Sequence, residues 1–315
     1  MSDIEDDLDN AITTNADPAV MRMQRRRLFK QAALGAIATA AFAGGGSTLF
    51  ASEAEASYTT PALTDVNILN FALNLEYLEA EFYLRAAYGT GLGHADIGGT
   101  GTPGPVWGGS KVKFSNPTFE QYAQEIATDE LNHVRFLRAA LGSKAVARPT
   151  IDLLDSFTIA ARAAGVIGPN ALFNPFADEA SFLLAAFIFE DVGVTAYHGA
   201  ARYIQNKDYL QAAAGILAVE AYHAGAVRTL LIGLGLSGPA NKISALRAAA
   251  SAVIGGTSAG DDQGITLNNK ANLVPADKNS IAFARTPQEV LNIVYLGGAS
   301  GLYGFFPKML NGAIH

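Results

Sequence analysis

The amino-acid sequence predicts an all-α protein, built as an antiparallel four-helix bundle with long connections. Of its 315 residues, 50% are hydrophobic and 16% are charged, which is enough apolar material for one sizeable core. Alanine and leucine dominate the chain and β-branched runs are few, a composition that favours helices. Four long segments also carry apolar residues at the 3.6-residue period of a helix.

The four long helices are expected at about 64–88, 117–141, 178–206 and 209–234. Thr64 is a suitable N-cap for the first helix, because its hydroxyl can accept a hydrogen bond from the first turn. Asn116 followed by Pro117 is typical of a helix start, and Gly142 can end the second helix. Only a short turn near 205–208 separates the third helix from the fourth, which predicts that they are antiparallel neighbours.

Two longer segments connect the remaining helices. A Gly-rich crossover, 89–115, joins the first helix to the second and contains no phosphate-binding G-x-x-x-x-G-K-[ST] motif. We therefore expect it to be a structural loop with His94 on its surface. The second connection, 148–175, joins the second helix to the third and is expected to contain a short extra helix at 151–164.

The helical pattern weakens after the fourth helix. We expect a helix at 241–254, irregular structure over 255–285, and another helix from Thr286 through Leu296. The sequence Thr-Pro-Gln-Glu at 286–289 is a capping box with proline at the first helical position. We interpret 240–315 as an extension that packs on the bundle or on a partner subunit. The predicted division is 1–56, a signal segment; 57–238, the bundle; and 239–315, the extension.

The N-terminal segment resembles a twin-arginine export signal. Residues 25–30 read RRRLFK, an uncharged stretch rich in Ala and Gly follows from 31 to 52, and Ala54-Glu55-Ala56 offers a small-x-small cleavage site. We expect the twin-arginine (Tat) export machinery to be a partner and the mature protein to be periplasmic or otherwise extracytoplasmic. A retained membrane anchor and a chance basic-apolar tract are the alternatives.

Charge and cysteine content exclude several classes of function. The net charge is −7 and no basic stripe occurs, so nucleic acid is not an expected partner. The chain has no cysteine, which excludes disulfides, thiolate-bound zinc, iron–sulfur clusters and a thiol nucleophile.

Each long helix carries one carboxylate within its apolar face when the positions are projected on a helical wheel. These carboxylates are Glu76, Glu130, Glu190 and Glu220. His133 follows Glu130 by three residues and His223 follows Glu220 by three, so each histidine shares the face of its glutamate. Burying one unpaired carboxylate costs several kcal/mol or forces it to bind a proton, so four of them in one core require cations.

Two divalent cations would neutralise this set, because four carboxylates carry four negative charges and neutral imidazoles carry none. Ligation by carboxylate and imidazole without sulfur suits Fe or Mn. A Glu from each of two helices, with Glu-x-x-His from each of the other two, is typical of di-iron and di-manganese carboxylate bundles. The sequence therefore predicts a dinuclear Fe or Mn centre with metal ligands Glu76, Glu130, His133, Glu190, Glu220 and His223.

Each of these residues has a simpler interpretation when it is taken alone. A single helical Glu commonly lies at the edge of its stripe with its carboxylate in solvent, and a single E-x-x-H is a common coincidence. The order of the motifs favours a site, because the chain repeats Glu and then Glu-x-x-His in two similar halves. Glu79 flanks the first stripe and is an alternative to Glu76, whereas Glu81 and Asp191 point away.

The segments NILNFALNLEYLEAEFY, DELNH, FEDVGVTAY and EAYHAGAVR resemble the ferritin-like domain of desiccation-related proteins, over about residues 60–236. The resemblance implies that Glu130 and Glu220 bridge two metals and that Glu76 and Glu190 are terminal ligands. It also implies that His133 and His223 bind one metal each.

Manganese catalases share this ligand order, so the resemblance implies oxygen or peroxide chemistry, with peroxide or O2 as the partner molecule. The second Glu-x-x-His, the crossover and the extension argue against an iron-storage cage, but they do not exclude a homo-oligomer.

Tyr83 and Tyr197 follow Glu76 and Glu190 by seven residues, and we assign them a catalytic role in which their hydroxyls orient the carboxylates. Ordinary core aromatics are the alternative. A non-catalytic stress protein that sequesters metal is the competing function.

Overall fold

The fold is a bundle of four long helices with three shorter ones, described by a computed structural model over residues 62–252, 262–297 and 304–315. In chain order the helices of these ranges are α1 (Asp65–Tyr88), α2 (Pro117–Leu141), α3 (Ser156–Ala163), α4 (Glu179–Ala201), α5 (Lys207–Gly233), α6 (Ser237–Ser251) and α7 (Pro287–Val294). The strands are β1 (Val106–Trp107), β2 (Ile151–Asp152), β3 (Thr266–Leu267) and β4 (Lys270–Ala271). Strands β1 and β2 pair in parallel, and β3 and β4 pair antiparallel. The predicted all-α four-helix bundle is confirmed, while the N-terminal segment predicted to be an export signal lies outside the described residues.

Helices α1 and α2 begin and end where the sequence predicts. The Thr64 hydroxyl accepts a hydrogen bond from the backbone N–H of Asn67, and Gly89 ends α1 in the left-handed conformation with φ of 79°. The Asn116 side chain accepts from the N–H of Thr118 and caps α2. These short-range bonds satisfy backbone groups that a helix end leaves open.

The predicted end of the third long helix at residue 206 is wrong, because α4 ends at Ala201. Asn206 instead caps α5, whose first turn donates to its side chain from the N–H groups of Asp208 and Tyr209. The Asp65 carboxylate accepts from the N–H groups of Gln205 and Asn206 at 2.8 and 2.9 Å and holds the turn against the start of α1. Helix α5 therefore starts two residues earlier than predicted and ends one residue earlier.

The predicted helix at 151–164 is wrong in its first part. Ile151 pairs with Val106 of the Gly-rich crossover, and only Ser156–Ala163 is helical. The Asp152 carboxylate accepts from the N–H groups of Leu154 and Asp155, which turns the chain from strand into helix.

The extension differs from its prediction mainly at the helix ends. Helix α6 starts at Ser237, four residues before the predicted start, and α7 ends at Val294, two residues before the predicted end. The stretch predicted to be irregular contains the small β3–β4 hairpin. The capping box of α7 is confirmed, since Thr286 and Glu289 bond each other reciprocally.

Helix α4 is at the centre of the molecule. It packs along α5, as α1 packs along α2, and it also contacts α1, α6 and α7. By length and composition α4 and α5 could each cross a membrane. However, 89% of the apolar 18-residue stretch of α4 is buried inside the protein. We interpret α4 as the core helix around which the other elements assemble.

The described end of the extension packs on the bundle. Asn311 accepts from the Asn74 side chain of α1 at 2.8 Å and donates back to it at 3.1 Å. The side chain of Asn311 also donates to the carbonyls of Thr102 and Ala147. The tail thus ties the crossover to α1, and His94 of the crossover is exposed as predicted.

Candidate metal centre

The interior of the bundle contains all six predicted ligand residues. Glu76 extends from α1, Glu130 and His133 from α2, Glu190 from α4, and Glu220 and His223 from α5. None of the six is more than 8% exposed. The alternative interpretation, in which each carboxylate reaches solvent at the edge of a stripe, is therefore wrong for every one of these glutamates.

The six side chains form two overlapping groups that could each hold a metal ion. One group is Glu76, Glu130, His133 and Glu220, and the other is Glu190, Glu220 and His223. Within each group one donor atom of every residue lies within 4.8 Å of the others. Glu220 belongs to both groups, so it lies between the two possible ion positions.

Glu130 also reaches both groups. Its Oε2 lies 3.4 Å from Nδ1 of His133, and its Oε1 lies 3.1 Å from Nδ1 of His223. Nδ1 of His133 is 3.2 Å from Glu76, and Nδ1 of His223 is 3.7 Å from Glu190. The two imidazoles thus turn the same ring nitrogen, Nδ1, towards the carboxylates, one at each oxygen of Glu130.

Several donor atoms of the cluster are buried without a hydrogen-bond partner among the described residues. They are both carboxylate oxygens of Glu130 and of Glu220, Oε2 of Glu190, and Nδ1 of His223. Buried polar atoms are normally satisfied, so a concentration of unsatisfied acceptors at one point demands an explanation. Divalent metal ions satisfy carboxylate oxygens and a neutral imidazole nitrogen together, and the donor set fits them.

Burial raises the pKa of the carboxylates in the protein without metal. The pKa of Glu76 rises to about 7 although His133 lies beside it, and that of Glu190 rises to about 8 although His223 opposes the change. Burial and then the neighbouring Glu130 raise the pKa of Glu220 well above its usual value. Like charges in a low-dielectric site disfavour one another's ionisation, so these carboxylates bind protons more readily than free carboxylates do.

Glu130 and the two histidines shift one another's pKa values in the direction that favours their charged forms. Burial alone would raise the pKa of Glu130, but His133 and His223 outweigh it and hold that pKa below its usual range. Burial would lower the pKa of both imidazoles, but Glu76 and Glu130 raise that of His133 to about 11. Glu130 and Glu190 raise that of His223 to about 9. Without metal, imidazolium ions therefore neutralise part of the carboxylate charge.

The two tyrosines pair across the halves of the bundle. The Tyr83 hydroxyl donates to Oε1 of Glu190, and the Tyr197 hydroxyl donates to Oε1 of Glu76. Each tyrosine therefore binds the glutamate of the other half and not the one seven residues before it. Such a bond fixes the carboxylate while its second oxygen remains free to face the cluster.

Asp129 is a functional candidate that the sequence analysis missed. Its carboxylate lies 3.1 Å from Nε2 of His223, so it can fix the ring and leave Nδ1 as the donor atom towards the cluster. The residue at the matching place before Glu220 is Val219, so the two halves differ here. In the sequence, the one feature that could have indicated Asp129 is its place directly before the Glu of a Glu-x-x-His motif.

Two further glutamates of α1 have different surroundings. Glu81 points away from the cluster as predicted, yet it is buried, because Arg85 and Arg148 pair with it. Glu79 is 6% exposed and belongs to neither ligand group. The structure therefore favours Glu76 over Glu79 as the α1 donor.

We predict that metal stabilises the protein more strongly as the pH rises. A raised folded-state pKa means that the folded protein binds its proton more tightly than the unfolded chain does. The resulting stabilisation is complete below the usual carboxylate pKa of 4.5 and is lost as the pH rises through about 7 for Glu76 and about 8 for Glu190. The raised pKa values of His133 and His223 extend the loss in the same direction.

Metal ions replace these protons, so the apoprotein should become less stable with rising pH while the metal-loaded protein does not. Thermal unfolding with and without added Mn²⁺, at pH values from about 5 to about 8, measures the difference. An increase in unfolding temperature on metal addition that is the same at every pH would contradict the prediction.

Comparison with known proteins matches residues 64–233 of the chain to the ferritin-like domain. The chain is 32% identical to desiccation-related protein PCC13-62 of Craterostigma plantagineum, over 72% of this chain and 76% of the relative. It is 30% identical to ferritin-like catalase Nec2 of Nesocodon mauritianus, over 79% of this chain and 84% of that protein. No solved structure matches the chain significantly.

Proposed function

Since the chain belongs to the ferritin-like domain family, we propose that it is a dimetal oxidoreductase that acts on hydrogen peroxide or O2. The observation that carries this proposal is the pair of ligand groups that share Glu220. Four carboxylates and two imidazoles match the charge and the donor preference of two Fe or Mn ions. A relative named a ferritin-like catalase supports peroxide as the substrate.

Two such ions would supply the electron transfer and Lewis acidity that peroxide or O2 chemistry requires. The protein's contribution is to fix the donors and to exclude bulk water. Tyr83 and Tyr197 hold one oxygen of Glu190 and of Glu76 in place. Asp129 holds His223 through Nε2, so that Nδ1 faces the carboxylates. Fixed donors of this kind need little rearrangement during a reaction.

The test is to express the protein in the cytoplasm, load it with Fe or Mn, and measure peroxide disproportionation and Fe(II) oxidation against metal-free protein. We expect the loaded protein to exceed the background rate for at least one of these reactions. A loaded protein whose rates equal the background would support the second candidate, a non-catalytic stress protein that sequesters metal. The relative named a desiccation-related protein favours that alternative.

Export by the twin-arginine pathway is part of the proposal, on the sequence of residues 25–56. This pathway carries folded proteins, so a protein that takes up its metal in the cytoplasm would benefit from it. N-terminal sequencing of the exported form should give a start near residue 57, and a start at residue 1 would favour a retained anchor.

A further inference from the structure

A small cavity lies beside the ligand cluster, between α1, α4 and α7. Its volume is ≈ 20 Å³, and about 10–15 Å³ suffices for one water molecule. Apolar side chains line it, among them Leu75 of α1, Val192 of α4, Ile293 of α7 and Phe305 of the tail. Among the described residues of the lining, Glu79 alone is charged. The cavity is thus large enough for one molecule near the size of water, with a single polar contact.

Glu79 is a buried carboxylate without a hydrogen-bond or ion-pair partner among the described residues, which is unusual for a carboxylate with a purely structural role. It is 6% exposed, yet no hydrogen bond or ion pair joins it to any residue in the described part of the chain. Its neighbours Glu130, Glu76 and Glu190 each repel it more strongly than His133 attracts it. Two residues further on, Glu81 is also buried but pairs with two arginines. A group that costs stability and faces a cavity is a candidate for a functional role.

The two halves of the bundle differ at this position. Glu79 follows Glu76 by three residues, and the matching residue three after Glu190 is Gly193, which lines the same cavity. A Cβ atom at Gly193 would lie 2.2 Å from Oε2 of Glu220. Gly193 therefore borders both the cavity and a predicted metal ligand, and a side chain at this position would displace that ligand.

The extension forms the outer wall of the cavity. Ile293 and Val294 of α7 and Phe305 of the tail are the extension's contribution to the lining. The N–H of Phe305 donates to the carbonyl of Val294 at 2.8 Å, and a Cβ at Gly304 would lie 2.3 Å from that same carbonyl oxygen. The tail is therefore packed closely against α7 at this part of the lining.

We propose that this cavity is the path by which hydrogen peroxide reaches the ligand cluster, and that Glu79 holds the peroxide there by accepting its hydrogen bond. Hydrogen peroxide is uncharged, close to water in size, and has O–H donors that a carboxylate can accept. This inference rests on the proposed function. Because O2 has no O–H group to donate, the inference narrows the proposed substrate to hydrogen peroxide. The apolar wall of the extension excludes larger hydroperoxides.

Substitution of Glu79 by Gln tests the role of the carboxylate. We expect the metal content to be unchanged and the unfolding temperature of the apoprotein at pH 8 to be equal to or above that of the wild type, since a repelled carboxylate is removed. The kcat/KM for peroxide should fall about tenfold or more, mainly through KM, as when an orienting partner is lost. A lower unfolding temperature of the apoprotein would show a structural role and overturn the proposal.

The wild type in the same assay separates the two hypotheses. If the wild type turns peroxide over and Glu79→Gln does so equally well, only the role of Glu79 is wrong. If the metal-loaded wild type does not turn peroxide over at all, the proposed function and this inference both fail.

A second pair of variants tests the wall. Ile293→Ala should widen the cavity and allow turnover of tert-butyl hydroperoxide, whereas Ile243→Ala should not. Ile243 is matched because it is 5% exposed in α6, against 3% for Ile293, and it does not line the cavity. Both truncations leave a void of similar size in the core, so their comparison separates access from stability. Equal rates with the bulky peroxide in both variants would overturn the assignment of the path.

Discussion

Replacing both Glu130 and His133 by alanine will remove most of the bound metal and abolish turnover. Glu130 faces both imidazoles, at 3.4 and 3.1 Å, so its loss affects both ligand groups. His133 is the only imidazole of the first group. Loss of residues that merely orient metal ligands weakens metal binding by about 10–100-fold, so we expect at least roughly 100-fold from the loss of two ligands. Metal analysis of the purified protein by mass spectrometry, with titration of the apoprotein, measures the effect.

The matched control is Glu125→Ala with Asn132→Ala, which removes a carboxylate and a polar side chain from the exposed face of the same helix. The control should keep its full metal content. The double ligand variant should still fold without metal, since it removes Glu130 together with its partner His133, and His223 keeps Asp129 at 3.1 Å. An unchanged metal content in the Glu130→Ala, His133→Ala protein would contradict the dimetal proposal.

Local signals in the sequence predicted helix ends well where the cap and the capped groups are close in the chain. Thr64, Asn116 and the Thr286–Glu289 box all bond backbone groups within three residues. The end of α4 could not be predicted in this way. Its turn is held by Asp65, about 140 positions earlier in the chain, and no periodicity reveals such a contact.

Tertiary pairing also overrode local preference at Ile151. The apolar pattern of 151–164 is compatible with a helix, but Ile151 pairs with Val106, far back in the Gly-rich crossover. Strand pairing between distant segments depends on how the whole chain is arranged, and helical propensity carries no information about it.

The ligand cluster was predictable because i, i+3 spacing and helical faces are properties of single helices. What surrounds the cluster depends on which helices are neighbours. The sequence placed Tyr83 and Tyr197 near the carboxylates but could not show that each binds the glutamate of the opposite half. Asp129 and the buried state of Glu81 also depend on partners from other elements.

A buried network of charges that fastens the extension to the bundle was not predicted at all. Asp191 of α4 accepts from Arg228 of α5 and Arg247 of α6, each at 2.7 Å. Asp262 in turn accepts from Arg247 and Arg285, at 2.9 and 2.7 Å. All five side chains are at most 5% exposed. Because these residues are distant in sequence, their helical patterns show isolated charges and not a network.

Asp262→Ala is expected to destabilise the protein by about 3–5 kcal/mol, the usual cost when one partner of a buried ion pair is removed. Burial alone would raise the pKa of Asp262, but Arg247 and Arg285 outweigh it and hold that pKa below its usual 3.8. Without the carboxylate, two buried guanidinium groups lose an ionic partner. Equilibrium unfolding in urea measures the change in free energy.

Lys111→Ala is the control, because Lys111 pairs with Glu120 at 3.0 Å on the surface and its side chain is 54% exposed. Exposed pairs contribute about 0–1 kcal/mol, so this variant should unfold almost as the wild type does. Asp262 belongs to neither ligand group, so the Asp262→Ala protein should keep its metal under conditions where it is folded. A loss of stability no greater than that of Lys111→Ala would mean that the network does not fasten the extension, and that packing at Phe305 and Asn311 holds it instead.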